Sequence, residues 1–323
     1  MGEEKITVVV PAYNNAPWLP RCLDSLLNQT HQNLEIIVVN DGSTDDTASV
    51  LEMYAARDSR VKPVHKENGG VTSARLRGVA EAAGDWVGFV DGDDEVEPDM
   101  YARLLKNARA YGADISHCGY QVIYPDGGIE YLHNSGVLRQ QDWQTGLRDL
   151  LEEKIVEPGL CNKLFKKALF RHLESKMDLS IRNNEDFLMN YYLFAQAKLS
   201  VFEDFCPYHY RIRQGSASRR KLNAHMIYDP IHVRQTVLES CAPELKDDAR
   251  RALARMCLVA YRQLVLEKGK EYEEDRRNVR RMLAEQKPYL HLLPPRNALL
   301  VRTITTVTWL FDLAYRAFVK IFG

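Results

Sequence analysis

Short apolar runs alternate with amphipathic stretches from the start of the chain. Continuous runs of strand length stand at 6–10 (ITVVV), 34–40 (LEIIVVN), 61–65 (VKPVH), 85–91 (DWVGFVD) and 113–118 (ADISHC). Apolar residues at helical spacing fill 17–29, 44–57, 71–83 and 98–111 between them. Strands apolar throughout, rather than at every second residue, are buried on both faces. Their alternation with helices predicts an α/β fold: a mostly parallel central sheet with helices on both faces. Pro98 is expected just inside one helix start, where its missing N–H costs nothing, and Ser43, Thr44, Asp45 and Asp46 offer caps at another.

After 118 the pattern loosens. YPDGG at 124–128 reads as a turn, 142–153 and 184–197 as helices, and 199–212 as a strand pair. Beyond 220, stretches rich in Arg, Lys and Glu at 223–241, 244–268 and 271–286 predict a helical extension, and Pro288, Pro294 and Pro295 punctuate a linker. The expected organisation is one domain over 1–216 with halves 1–118 and 119–216, a helical extension over 217–295, and an amphipathic C-terminal helix over 296–323. In that tail Leu300, Ile304, Val307, Phe311, Ala314, Phe318 and Phe322 form one stripe, with Arg302, Asp312, Arg316 and Lys320 largely opposite. Its longest uncharged run, 303–311, is far short of the ~20 residues that span a bilayer. With Trp309, Tyr315 and the basic residues, 298–322 reads as a helix lying in a membrane surface; packing on its own domain or on a second copy is the alternative.

Composition narrows the class. Of 323 residues 45% are hydrophobic and 27% charged, as in soluble globular proteins, and 43 basic against 44 acidic residues leave none of the basic excess a nucleic-acid partner would demand. The six cysteines are scattered without a C-x-x-C pair, which reads as buried thiols in a reducing compartment. MGEEKITVVV has no signal-peptide pattern, and MGEEKI lacks the Ser or Thr that myristoylation wants at position six. A cytosolic location is expected.

The informative polar residues follow the strands. Pro11 to Asn15, Asn40 to Ser43, Glu67 to Gly70 and Asp91 to Asp94 should share the carboxyl edge of the sheet, where ligands gather. Asp91 and Asp93 flank Gly92 in a tight turn and reach one small volume, where like charges repel unless a cation holds them. Carboxylate oxygens with no His or Cys nearby suit Mg²⁺ or Mn²⁺, ions that commonly share their coordination with substrate phosphates. The loop therefore implies a diphosphate.

These residues also carry a family pattern. VVVPAYN at 8–14, EIIVVNDGSTDDT at 35–47, N-G-G-x-x-x-A-R at 68–75, AAGDWVGFVDGDDEVEPD at 82–99 and NNEDF at 183–187 together resemble the family 2 glycosyltransferases of GT-A fold, over roughly 1–215. The resemblance implies a Rossmann-like nucleotide-binding half at 1–118 and an acceptor half at 119–216. Pro11 and Tyr13 match the loop lining the nucleobase, Asp41 the acid on the uracil edge, and Asn68 and Arg75 the third loop near the base. A carboxylate at Asp41 would accept the uracil N3–H and favour a uridine nucleotide. Asp91 matches the acid beside the ribose, Asp93 the ligand of Mn²⁺ or Mg²⁺, and Asp94 a supporting turn residue. Asp186 matches the general base, and Glu185 its neighbour toward acceptor hydroxyls, with helix capping by either acid as the alternative. In YHYRIRQGSAS at 208–218, His209, Arg211 and Arg213 are candidates for the departing phosphates, against a solvated strand face. Asn162 and Lys163 match a segment near the acceptor. Leu76 and Gly92 depart from the pattern, standing where Asn and Ser are frequent; the Leu puts details of the base loop in doubt.

The activity implied is inverting, metal-dependent transfer of a sugar from a nucleotide-sugar donor, a UDP-sugar, to a hydroxyl of a glycan or lipid-linked acceptor in cell-envelope polysaccharide synthesis. It would take place at the inner face of the membrane. A catalytically silent nucleotide-sugar-binding scaffold is the alternative from another class. A phosphatase using Asp91-x-Asp93 as nucleophile pair is disfavoured, because that pair belongs after a first strand and here follows the fourth.

Overall fold

The run ITVVV opens the first strand, β1 (Ile6–Ala12), which lies between β2 (Leu34–Asp41) and β4 (Trp86–Phe89) and runs parallel to both. The structure is a computed structural model, described for residues 4–213, 221–267 and 269–322, and it divides into two compact units, Met1–Lys221 and Leu222–Gly323. In the first unit β3 (Val61–Lys66) extends the parallel set beyond β2. Helices α1 (Leu19–Leu27), α2 (Thr47–Arg57), α3 (Val71–Glu81) and α4 (Met100–Tyr111) fall where the periodicity puts them. Helix α3 presses its backbone onto the sheet at Gly78, where an added Cβ would sit 2.3 Å from a Val9 methyl. One helix start differs from expectation, and at another one of the four expected caps is used. Pro98 stands outside α4, ahead of the Asp99 cap, where its carbonyl accepts the Thr30 N–H. At α2 the Asp45 carboxylate, not the Asp46 cap, takes the Thr47 N–H.

The rest of the unit continues the same sheet with mixed directions. β9 (Lys163–Lys166) runs antiparallel between β4 and β6 (Ile115–Ile123), and β10 (Leu199–Arg211) runs parallel to β6. β5 (Glu95–Val96) and β8 (Leu138–Asp142) pair antiparallel with β10, and β7 (Ile129–Leu132) closes a hairpin with β6 across the YPDGG turn. The strand pair expected at 199–212 is instead one strand of 13 residues, irregular between Glu203 and Tyr208, whose partners come from elsewhere in the chain. α5 (Trp143–Glu152) and α6 (Glu185–Gln196) complete the unit.

The second unit packs α7 (Ala224–Ser240), α8 (Lys246–Leu266), α9 (Glu273–Glu285), α10 (Pro295–Thr306) and α11 (Thr308–Phe322). The tail is therefore two helices rather than one, parted at Val307 with φ −125° and ψ 55°. Ile304 and Phe311 go into the core this unit builds around Cys257, Leu264 and Val279, so the tail beyond 296 belongs to that core. The stripe is split: Ile304 and Phe311 are buried, while Val307 and Phe318 are 39% and 54% exposed, and Leu313 and Ile321, outside it, are 64% and 70% exposed. Among the described residues no helix is long and apolar enough to cross a membrane, and all six cysteines are buried with free thiols.

Candidate active site

Four loops meet at the carboxyl ends of β1 to β4. The first is pinned to the second: Asn14 N donates to Ser43 Oγ at 3.0 Å, Asn15 N to Thr47 Oγ1 at 2.8 Å and Ala16 N to Asp45 Oδ2 at 3.1 Å. Much of the DGSTDDT run thus shapes the PAYNN loop, leaving Tyr13 half exposed above it. Asp41, 3% exposed, binds the third loop: Oδ1 accepts from Lys66 Nζ (2.6 Å) and Gly69 N (3.0 Å), and Oδ2 from Gly70 N (2.8 Å). Gly70 reaches that position at φ 88°, a conformation open to glycine. One acceptor position on Oδ2 remains for an incoming N–H. Pro11 is half-buried and Asn68 exposed on the same edge.

The acidic run is resolved residue by residue. Asp91 Oδ1 accepts from Arg75 Nη2 at 3.2 Å. Asp93 Oδ2 lies 2.6 Å from Arg213 Nε, with the guanidinium 3.9 Å above the centroid of the Trp18 ring. Asp94, 1% exposed, accepts from Tyr208 OH at 2.5 Å and from Arg211 N at 2.9 Å. Glu95 pairs with Arg21 and Arg211, and Glu97 with His209 at 2.7 Å. His209, Arg211 and Arg213 therefore face the acidic run, and the remainder of the YHYRIRQGSAS segment, 214–218, lies outside the described residues. Burial first, then the Asp91 charge, pushes the Asp93 carboxyl above the usual range, and the same causes with Asp93 added raise Asp94 further.

Arg75 is not at the base loop. It points inward from α3, 5% exposed, and bridges Asp91 to Glu185, whose Oε1 accepts from Nη1 at 3.2 Å. A buried guanidinium needs such carboxylates, and α3 aims it at them. Glu185 and Asp186 open α6 behind Asn184, which takes a positive φ of 65°. Acids in a first helical turn face the positive end of the helix dipole. Asp186 Oδ1 accepts the Phe187 N–H at 2.7 Å, and its side chain stays half-buried at the cavity wall. Glu185, almost fully buried beside Asp186, is pushed up to about 7 by that burial and by the neighbouring charge, which the Arg75 contact only partly offsets.

These groups line a cavity of about 370 Å³ that also takes in Tyr120, Glu157, Cys161 and Asn162. Lys163 is not among its walls. It is 0% exposed, and its Nζ donates to Glu157 O (2.9 Å), Gly159 O (2.5 Å) and Asn162 Oδ1 (2.7 Å), so it braces the 157–162 loop from behind. Asn162 is committed as well, its amide donating to Cys118 O. Sequence reasoning missed Tyr208, Tyr210, Tyr120 and Glu157. The first two were legible: alternation along YHYRIR sets them opposite His209 and Arg211. Glu157 carries no local signal.

Comparisons with known proteins give the family and the fold. The family model described as "Glycosyl transferase family 2" matches residues 7–174, just over half of the chain. Glycosyltransferase GlyA of Streptococcus pneumoniae serotype 4 is 33% identical over 245 residues, 73% of this chain, which spans only 35% of the length of GlyA. The succinoglycan biosynthesis protein ExoO of Rhizobium meliloti is 28% identical over 271 residues, 80% of this chain and 77% of its own. The crystal structure of S. aureus TarS 1-349 in complex with UDP shares the fold at a TM-score of 0.72 and 17% identity, over 97% of this chain and 89% of that one. A complex of the same protein with UDP-GlcNAc matches at 0.70 and 18%, over the same shares.

Proposed function

The chain belongs to glycosyl transferase family 2, and from that membership we propose that it transfers a sugar from a UDP-sugar to a hydroxyl of a glycan or lipid-linked acceptor, with inversion at the anomeric carbon. The observation that carries this reading is the position of Asp186 on the wall of a cavity that Asp91 also lines. One carboxylate follows the strand that meets the nucleotide, and the other opens the helix on the acceptor side. The presence of UDP and UDP-GlcNAc in TarS crystals supports the donor class.

In this mechanism the uracil lies by Tyr13 with its N3–H on the remaining acceptor of Asp41. Asp91 receives the ribose side. Asp93 and Asp91 fit a divalent cation: two half-open carboxylates in one turn, the former reluctant to ionise beside the latter. Among the described residues no third His, Cys, Asp or Glu joins them, which suits Mn²⁺ or Mg²⁺ that takes its other ligands from substrate. Such an ion, when bound, offsets charge on the departing diphosphate. Asp186 accepts the proton of the acceptor hydroxyl as its oxygen attacks the anomeric carbon, and the C–O bond to the diphosphate breaks on the opposite side. Arg75 holds Asp91 and Glu185 in place, and Arg211 and Arg213 reach the leaving phosphates by giving up Glu95 and Asp93.

We also assign the second unit to a membrane surface at the cytoplasmic face. Leu310, Leu313, Ala314, Phe318 and Ile321 form an exposed stripe on α11 beside Trp309. Residues 222–323 hold 17 Lys or Arg against 12 Asp or Glu, a formal +5 in a chain whose total is −1. Arg276, Arg277 and Arg280 outnumber Glu273 and Asp312 along a cleft at the start of α11. These features support an anionic lipid surface. The transfer itself is tested with UDP-, GDP- and dTDP-sugars and Mn²⁺ or Mg²⁺, read as nucleoside diphosphate released with and without EDTA. Metal-dependent release from a UDP-sugar is expected. Absence of both release and UDP binding would overturn the reading.

A further inference from the structure

The cavity that begins at Asp91 extends across the sheet, away from Asp41, which does not line it. Asp41 stands at the end of β2 and Asp91 just beyond β4, whereas Tyr120 lies on β6 and Tyr210 on β10, beyond β9 in the strand order β3-β2-β1-β4-β9-β6-β10-β5. The sheet thus carries this second set away from the nucleotide loops. There the rings of Tyr120 and Tyr210 meet edge to face, centroids 6.5 Å apart at 85°, and Glu157 and Pro158 complete the wall. The Glu157 side chain is 14% exposed, with His133 Nε2 3.7 Å from Oε1.

The charges in this cavity are lopsided. Asp91 and Asp186 line it with the carboxyls of Asp94, Glu157 and Glu185, which burial makes reluctant to ionise, and the one basic residue among the described lining, Arg75, is already bonded to Asp91 and Glu185. Lys163 lies behind the wall with its donors spent on loop oxygens. An anion arriving at the far end meets carboxylates with no uncommitted cation among the described lining residues. An uncharged sugar meets what it needs. Its C–H face packs on the electron-rich face of a tyrosine, and its hydroxyls donate to a carboxylate.

Building on the transferase reading, we propose that the Tyr120, Tyr210 and Glu157 end of the cavity is the acceptor subsite, that it holds an uncharged pyranose, and that its carboxylate wall turns away uronic-acid and phosphorylated acceptors. Binding is measured by saturation-transfer NMR with two probes, methyl β-glucopyranoside and methyl β-glucopyranosiduronate, on the full chain without nucleotide. UDP affinity is measured separately on the same samples. The neutral glycoside is expected to bind at least tenfold more tightly than the uronate. Glu157→Gln should bring the two within about threefold, and Tyr210→Leu should weaken the neutral glycoside about tenfold while leaving UDP binding intact. Equal or tighter binding of the uronate, no binding of either glycoside in a sample that binds UDP, or indifference to both substitutions overturns the proposal. Loss of UDP binding with the glycoside preference intact would instead count against the donor assignment alone.

Discussion

Arg213 Nε rests 2.6 Å from Asp93 Oδ2, so the carboxylate assigned to a divalent cation already has a protein cation on it. Stacking on Trp18 fixes the guanidinium there. Asp93 would be free to hold a divalent cation, which would supply charge beside the diphosphate, only if Arg213 turned to phosphate oxygens.

Arg213→Ala should therefore tighten Mn²⁺ binding in the absence of nucleotide roughly three- to tenfold, because a competing charge is gone. It should weaken UDP binding in the presence of the metal. Titration calorimetry on the parent and the variant reads both quantities. Unchanged Mn²⁺ affinity, or tighter UDP binding, would count against the exchange of partners.

Asp93→Asn and Asp186→Asn should separate binding from chemistry. The first is expected to remove metal-dependent turnover while leaving the fold intact. The second should hold UDP affinity within about twofold yet lower kcat by about 10² or more, the usual scale for a lost general base. Full turnover in either variant would take that residue out of the mechanism.

Glu185 gives a pH signature. Its folded carboxyl is raised to about 7 from 4.5, so between these values the native state holds a proton that the unfolded chain has released. The unfolding free energy must then fall as pH rises through that window, by roughly 3–4 kcal/mol at most, and the loss is complete above pH 7. Glu185→Gln removes the titration, so its melting temperature should drop less than that of the parent between pH 5 and pH 8. Identical slopes for the two proteins would show that Glu185 ionises normally.

The parallel core was legible because its strands are apolar on every residue: Val8, Val9, Val10, Ile36, Ile37, Val38 and Val39 are at most 1% exposed. The loops that follow such strands are fixed by chain direction, which is why Asp41, Asp91 and Asp93 fell where expected. What failed was orientation. Whether Arg75 faces the base loop or the cavity depends on how α3 rotates against β1, and Gly78 sets that only once the helix is docked. Glu157 joins the cavity through a loop held by buried Lys163, and no local pattern marks it. In the tail, one periodicity was read through Val307, where the backbone leaves the helix at φ −125° and ψ 55°; Ile304 and Phe311, seven residues apart, would share a face with or without that break, so the pattern does not mark it.

Lys163→Met tests the brace behind the 157–162 loop. The substitution keeps volume but strips the donors from Glu157 O, Gly159 O and Asn162 Oδ1. Three buried acceptors losing one partner should cost roughly 2–4 kcal/mol in total, less any relief from no longer burying an ammonium whose pKa burial depresses to about 8. Hydrogen exchange in 157–162 should accelerate, and acceptor KM should rise more than donor KM. A protein as stable as the parent, with an unchanged exchange pattern, would leave Lys163 without a structural role.

The outer face of α11 decides the membrane assignment. Leu313 and Ile321 are 64% and 70% exposed, with Leu310 exposed between them on the helix surface, while Phe311 is buried in the core. Replacing both by serine thus changes what the helix meets outside without emptying the interior, and thermal stability should move by less than about 1 kcal/mol. Burying such side chains in an interface is worth about 1.5–3 kcal/mol each, so the double variant should lose at least tenfold in binding to vesicles of mixed phosphatidylcholine and phosphatidylglycerol. The +5 charge of residues 222–323 predicts weaker binding to pure phosphatidylcholine and a steep fall with salt. Sedimentation with each vesicle type measures these, and light scattering on the same proteins gives their mass. If the parent is a dimer that Leu313→Ser and Ile321→Ser dissolve, and vesicle binding is unaffected, the stripe belongs to a second copy of the chain instead.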